Sequence, residues 1–287
     1  MCGVITILSV QSSVAYGHVG NSAATFPLMR MGVEVWPVIT VHFSNHTGYG
    51  EWRGPLLAAA DVADVITGMD ERGVLGRCDA VLSGYQGAAD VGATILEAVA
   101  LVKTRNPKAI YCCDPVMGDI GRGFFVRPGI PEFMRDHVVP AAQVITPNQF
   151  ELDFLTGSTT STLDEVLAAA DRARELGPEV VLVTSVEHAD AAPETIDMVA
   201  VSGDGAWSIT TPLLPRSFQG AGDLTAATFL AKLLQSGDVA TAIAQTAAVV
   251  YGVLKVTVDS GEPELQLVAA QDEIAHPTRQ FEVVRLR

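Results

Sequence analysis

The sequence predicts a single α/β domain, a mostly parallel central sheet sandwiched between helices on both faces. Three observations carry that expectation. Short apolar runs alternate with stretches of helical period along most of the chain. The runs are almost continuously apolar, as in strands buried on both sides. Hydrophobic residues make up 48% of the 287 and are spread evenly, with no repeat, low-complexity tract or linker to divide them. The domain is therefore expected to span residues 1–287.

The elements follow in order. Apolar runs at 4–10, 33–40, 80–83, 109–113, 144–146 and 180–185 read as buried strands. Helical patterns fall between them, near 20–31, 62–70, 87–105, 149–156 and 163–176. Thr162 ahead of Leu163, with Glu165 three residues on, has the form of a capping box. The pattern then changes, and 197–202 and 206–211, separated by Gly-Asp-Gly, read as an antiparallel hairpin. Two long helices are expected near 223–235 and 239–258, and a short one near 267–275. Trp36 and Phe26 fall on apolar faces and read as core.

Composition narrows the function. With 18 basic against 33 acidic residues the net charge is −15, which disfavours nucleic acid as a partner. A nucleotide needs only a local electropositive pocket, so it stays open. No uninterrupted apolar run approaches the roughly 20 residues of a membrane span, and MCGVITILSV lacks the basic start of a signal peptide. A cytoplasmic protein is expected, with no membrane partner. Cys2, Cys78, Cys112 and Cys113 show neither CxxC nor zinc spacing and read as reduced thiols. Cys112 and Cys113, adjacent on a strand, should point to opposite faces.

In a parallel sheet the ligand edge lies beyond the carboxyl ends of the strands. The polar, glycine-bearing segments fall there: QSSVAYGHVGN, HFSNHTGYG, SGYQG, DPVMGD, TPNQFE and TS. A later run, RSFQGAGDLTAATFLAKLL, places small residues Gly220, Ala221 and Gly222 where a helix begins. Free N–H groups and the helix dipole suit that spot to a phosphate. Asp223 among those donors is either a helix cap or a catalytic base. Asp114 before Pro115 reads either as a strand-end turn or as a ligand residue, Ser12 as a loop hydroxyl or a binding group, and His18 and His46 as structural.

Other nucleotide machinery is missing. There is no GxxxxGK[ST] and no Gly-Lys dipeptide at all, no GxGxxG after the first strand, and no GxSxG elbow. His42 and His46 have HxxxH spacing without the glutamate of a zinc site, and they are expected in a loop. An anion hole, carboxylates on two strand ends and several hydroxyls remain. Phosphoryl transfer needs little else.

Taken together, QSSVAYGHVGNSAA, FSNHTGYG, GYQG, DPVMGD, TPNQFE and GAGD resemble the pyridoxal kinases of the ribokinase-like superfamily. The likeness runs from Val4 to about Pro277. GAGD alone marks only the superfamily; YGHVGN and FSNHTGYG are specific to kinases of pyridoxal and its relatives. The resemblance implies a ribokinase-like three-layer α/β/α fold, ATP and Mg²⁺ as cofactors, a monovalent cation (K⁺ or Na⁺), and a homodimer. It implies that Asp223 takes the proton of the 5′-hydroxyl while Gly220, Ala221 and Gly222 hold the transferring phosphoryl group. Asp119 and Glu151 would help hold Mg²⁺ through waters. Asp114, Thr146 and Thr184 fall at positions used for the monovalent cation and nucleotide phosphates, with Asn148 and Ser185 beside them. Ser12 and Thr47 match positions that hold the pyridine ring's polar atoms, Val19 and Tyr85 wall the pocket, and Pro212, Leu213 and Leu214 begin the adenine pocket. Two features depart from some members: the stretch from Leu214 to Gly220 is short, and Thr184 stands where others carry lysine. GDIGRGFFVRPG reads as a second flap. The alternatives are a hydroxymethylpyrimidine kinase of the same superfamily and a non-catalytic protein that binds pyridoxal phosphate.

Overall fold

The structure is a computed structural model and describes residues 3–287; Cys2 lies outside the described residues. In chain order the first half comprises β1 (Thr6–Val14), α1 (Asn21–Arg30), β2 (Glu34–Phe43), α2 (Ala59–Glu71), β3 (Ala80–Ser83), α3 (Ala89–Arg105) and β4 (Ile110–Cys113). A small hairpin follows, β5 (Gly118–Asp119) with β6 (Gly123–Phe124). Next come α4 (Ile130–Phe133), α5 (Val139–Ala141), β7 (Val144–Ile145), α6 (Gln149–Thr156) and α7 (Leu163–Glu175). The chain closes with β8 (Val180–Val186), β9 (Thr195–Ser202), β10 (Gly205–Pro212), α8 (Ala221–Ser236), α9 (Val239–Ser260), α10 (Gln271–Ala275) and β11 (Val283–Arg285).

Nine strands form one sheet in the order β11-β10-β9-β8-β7-β4-β3-β1-β2. The six from β2 to β8 run parallel, and β9, β10 and β11 pair antiparallel. Alternate side chains on each strand feed two cores. Leu8 and Cys113 pack on one face with Val62, Val91, Leu152 and Val166 from α2, α3, α6 and α7. Ile7 and Cys112 pack on the other with Leu28, Ala227 and Ile243 from α1, α8 and α9. The expected three layers are therefore present, and Cys112 and Cys113 diverge as their spacing required. Cys78, Cys112 and Cys113 are free and buried. Trp36 packs partly buried against the first of these cores, and Phe26 against a third cluster that includes Leu224, Val253 and Leu265.

The capping box forms: Thr162 accepts from Glu165 N while Glu165 accepts from Thr162 N. The Gly-Asp-Gly hairpin pairs as expected, with Ser202 opposite Gly205. Helix α9 is long and apolar enough to cross a membrane, with a mean hydropathy of 1.5, yet 61% of that stretch is buried inside the molecule. Its apolar surface is used by the core.

Several boundaries differ from the sequence reading. β1 continues to Val14 and β2 to Phe43, so Ser12 and His42 stand on strands rather than in loops. The extension carries a register shift between Gln11 and Ser13. Asn21 explains it: its buried side-chain nitrogen lies within bonding distance of the carbonyls of Ser9, Gln11 and Val38, at 3.3, 3.2 and 3.0 Å. A polar clamp thus prolongs strands whose apolar runs have already ended. The hairpin β5–β6 and the edge strand β11 carry no apolar run and escaped notice. α10 is shorter than expected because Leu265 and Leu267 pack as an irregular buried segment.

Replacing Asn21 by alanine should leave those carbonyls without their donor. We expect a loss of about 1–3 kcal/mol, read as a lower urea midpoint with an unchanged slope.

Candidate active site

A cleft of ≈ 580 Å³ opens at the carboxyl edge of the parallel strands. Every residue that the resemblance assigns to the site lines it: Ser12, Val19, Thr47 and Tyr85, Pro212, Leu213 and Leu214 on the β10 side, and Asp114, Asp119, Thr146, Asn148, Glu151, Thr184, Ser185 and Gly220 through Asp223. The loops converge as parallel topology requires.

The helix end at α8 is built for an anion. Gly220 is its N-cap, with φ +84°, a conformation that glycine adopts without steric cost. A Cβ there would overlap the His18 carbonyl oxygen, so size and backbone angle demand the same residue. Because Gly220 holds the cap position, Asp223 sits in the first turn, and the capping role is excluded for it. The Ala221 N–H bonds the Phe218 carbonyl at 3.4 Å, while Gly222 and Asp223 belong to the first turn, where intrahelical acceptors are lacking.

Asp223 is half-buried and makes no salt bridge among the described residues. A Cβ on Gly84, in the loop after β3, would lie 3.7 Å from its Oδ1. Burial pushes its carboxyl up to about 6, opposed by the Gly20 and Asp223 amides. Asp114 faces the same helix end, its Oδ2 4.0 Å from where a Gly222 Cβ would stand. Burial first, and the Asp223 charge second, push Asp114 up to about 8, while the Thr146 hydroxyl donates to its Oδ1 at 2.9 Å. Between these values Asp223 is ionised and Asp114 holds the proton.

The start of α6 is a second capping box, which sequence reading missed although TPNQFE contains the N-x-x-E signature. Asn148 accepts from Glu151 N at 2.9 Å, and Glu151 Oε2 accepts from Asn148 N at 3.0 Å. Glu151 Oε1 also accepts from Met117 N and Gly118 N, and Asn148 donates to the Gly118 carbonyl. These bonds fasten the segment after β4 to α6. Burial, with the Asp114 charge second, holds Glu151 well above the usual carboxylate range. Asp119 stands exposed on the β5–β6 hairpin and accepts from Ile120 N. That hairpin lies in GDIGRGFFVRPG, the segment read as a second flap, and Ile120, Arg122 and Phe125 of this segment line the cleft.

Among the described residues no group of three or more His, Cys, Asp or Glu could hold a metal alone. Buried acids whose charged forms are disfavoured nevertheless fit a magnesium ion that arrives with phosphates and keeps most of its waters. The hydroxyl at Thr146 and carboxyl at Asp114 likewise fit an oxygen-coordinated monovalent cation.

Of the residues expected to face the vitamer, Ser12 is buried near the end of β1 and Tyr85 half-buried, with Thr40 donating to its carbonyl at 3.1 Å. Thr47 opens an exposed helical turn, Thr47–Tyr49. Thr184 bridges to Asn148. Ser185 adopts φ +53°, uncommon for a residue with a Cβ, where the β8–β9 register shifts. Leu213 is 49% exposed.

Sequence reading missed the cations of this cleft, Arg122 and Arg216. Both stand in segments it quoted, and charge alone could have flagged them in so acidic a chain. It also missed Glu264, which bonds His46 from 218 residues away; no local signal marks it.

The fold and cleft define a ribokinase-like phosphotransferase. The chain matches the phosphomethylpyrimidine kinase family over residues 68–267. It is 59% identical to pyridoxal kinase PdxY of Rubrobacter xylanophilus over 99% of this chain and 98% of the relative, and 57% identical to that of Leifsonia xyli subsp. xyli over 98% and 99%. The structure of pyridoxal kinase from Leishmania donovani in complex with ADP and pyridoxine superposes with a TM-score of 0.92 at 28% identity, covering 98% and 99% of the two chains. The chain belongs to the pyridoxal kinase family.

Asp223 and Asp114 both have folded-state values above those of an unfolded aspartate, about 3.9. Their contribution to stability is fully present below that value and is lost as pH rises through about 6 and about 8. In nucleotide-free, metal-free buffer the thermal midpoint should therefore fall from pH 5 to pH 9. Asp114→Asn should flatten that fall and exceed the wild type on the alkaline side, checked by melting curves across the range.

Proposed function

We infer that the chain phosphorylates the 5′-hydroxyl of pyridoxal, and of pyridoxine and pyridoxamine, with ATP, a reaction of vitamin B6 salvage. The observation that carries this reading is the half-buried, unpaired Asp223 at the amino end of α8, inside a cleft lined by both sets of family motifs.

In this reading the vitamer ring lies between Val19 and Tyr85, with Ser12 and Thr47 on its polar atoms. Its 5′-hydroxyl is directed at Asp223. Leu213, Leu214 and Pro212 receive the adenine, and Thr184, Ser185, Asn148 and Thr146 receive the phosphates. Asp223 takes the hydroxyl proton as the oxygen attacks the γ-phosphorus in line, and the bond from that phosphorus to the bridging oxygen breaks so that ADP leaves. The Gly220–Gly222 backbone and the helix dipole stabilise charge developing on the transferring group. Arg122 and Arg216 supply cationic cover from the flap and from the segment before α8. Asp119, Glu151 and Asp114 would hold magnesium, largely through waters, and Asp114 with Thr146 a potassium or sodium ion. Magnesium bound with ATP neutralises charge on the β- and γ-phosphoryl oxygens. A cytoplasmic homodimer is the assembly the family resemblance supports.

The match to the phosphomethylpyrimidine kinase family favours one second reading, a hydroxymethylpyrimidine kinase. An ADP-release assay across the vitamers and hydroxymethylpyrimidine, with and without Mg²⁺ and K⁺, separates the two. Pyridoxal turnover should dominate, need Mg²⁺ and rise with K⁺. Binding of vitamer without any ADP release would instead mark a silent pyridoxal phosphate binder.

Asp223→Asn keeps the size of the side chain and removes the base. Its kcat should fall by about 10²–10⁴ with vitamer KM within a few-fold of wild type. Wild-type kcat/KM should decline below about pH 6, as the Asp223 carboxylate takes up its proton. Near-normal turnover in the variant would remove Asp223 from the role.

A further inference from the structure

Glu264 lies in the irregular segment between α9 and α10, far in sequence from every motif that lines the cleft. It is 6% exposed, and three donors converge on its carboxylate. His46 Nε2 lies 2.9 Å and the Tyr49 hydroxyl 2.6 Å from Oε1, while His18 N–H approaches Oε2 at 3.2 Å. His46 and Tyr49 belong to the segment that carries Thr47, their rings stacked 4.5 Å apart. His18 belongs to the loop that carries Val19. One acid from the C-terminal part of the chain therefore fastens both vitamer-side segments.

The contacts continue to the phosphate side. The His18 carbonyl, on the residue whose N–H is held by Glu264, abuts Gly220 so closely that a Cβ there would overlap it. Leu265, the next residue after Glu264, places a methyl 3.3 Å from that same Cβ position. Across the cleft, a Cβ on Gly48 would fall 2.9 Å from His46 Nδ1 and 3.7 Å from Cδ of Gln219, the residue before Gly220. Gly17, with φ +88°, leaves no room for a side chain against the Glu264 carboxylate. The vitamer loop, the loop after β1 and the amino end of α8 thus meet around one buried carboxylate.

The isolated charge also needs its partners. A buried carboxylate without donors costs several kcal/mol, so the three donors and the acid hold one another in place. An exposed turn such as Thr47–Tyr49 would otherwise sample many conformations, and each would have to be surrendered on binding.

We propose that Glu264 is a positioning residue for phosphoryl transfer: it touches no substrate, but locks the Thr47 turn and the His18 loop against Gly220 so that the vitamer pocket and the anion hole keep one geometry. This rests on the kinase reading above.

The test is steady-state kinetics with pyridoxal and ATP varied separately. Glu264→Ala should raise the vitamer KM about tenfold or more and lower kcat, leaving the ATP KM within about twofold, since a hydrogen bond to a charged group is worth roughly a factor of ten or more. Glu264→Gln, which still accepts from His18 N–H and Tyr49, should recover most of the loss, and Tyr49→Phe alone should raise the vitamer KM about threefold. A purely structural pin would instead lower the melting temperature with both KM values unchanged, or shift both together, and either result overturns the proposal. Should Glu264→Ala not fold, an unchanged vitamer KM in Tyr49→Phe, which removes one donor to Glu264, overturns it as well. A wild type that converts no vitamer at all sinks the kinase reading itself, independently of any variant.

Discussion

Two carboxyl groups share the amino end of one helix here, and burial disfavours charge on each, with the Asp223 charge weighing further on Asp114. Asp223 lies within the positive end of the α8 dipole and near backbone N–H groups, which pull its value back toward ionisation. Asp114 lacks that help and bears both the burial and the neighbouring charge. The pair is thus biased before any ligand arrives: a base on the helix side and a protonated acid on the β4 side. An incoming cation reverses the balance at Asp114, since opposite charge favours the ionised form.

That bias depends on backbone placement, and placement is a matter of small residues and caps. Gly220 lets the His18 carbonyl come against the start of α8. The Asn148–Glu151 box fixes the start of α6 and, through Met117 and Gly118, the base of the flap. Glu151 is therefore already committed to three backbone donors. Asp119, by contrast, is exposed and, among the described residues, accepts only from Ile120 N. The two acids named together from the sequence are physically unlike: Glu151 is buried and bonded to three backbone donors, while Asp119 sits exposed on a short hairpin.

Much of this was legible in the residues. The six parallel strands announce themselves because burial on both faces demands unbroken apolar runs, and Thr162 with Glu165 announces a helix start. The carboxyl-edge loops are legible because parallel topology sends them all one way. What stayed hidden has a common physical cause. The extension of β1 through Ser12 is set by Asn21, an amide reaching across to strand carbonyls. The His46–Glu264 contact spans 218 residues. β5–β6 and β11 are too short for any period to show. Apolar burial writes a local pattern into sequence; polar tertiary bonds do not.

The same distinction bears on how specificity arises in this fold. The cleft walls proposed to meet adenine and phosphate are made largely from strand ends and a helix terminus. The wall proposed to meet the vitamer is made from the Thr47 turn and the loop after β1, which carry little regular structure of their own. Such segments are the cheapest to vary and the hardest to hold still. A buried acid outside the wall solves the second problem without constraining the first, because the residues facing the ring stay free to change while the backbone beneath them stays tied. Rigidity borrowed from Glu264 lets an exposed turn act as a binding surface.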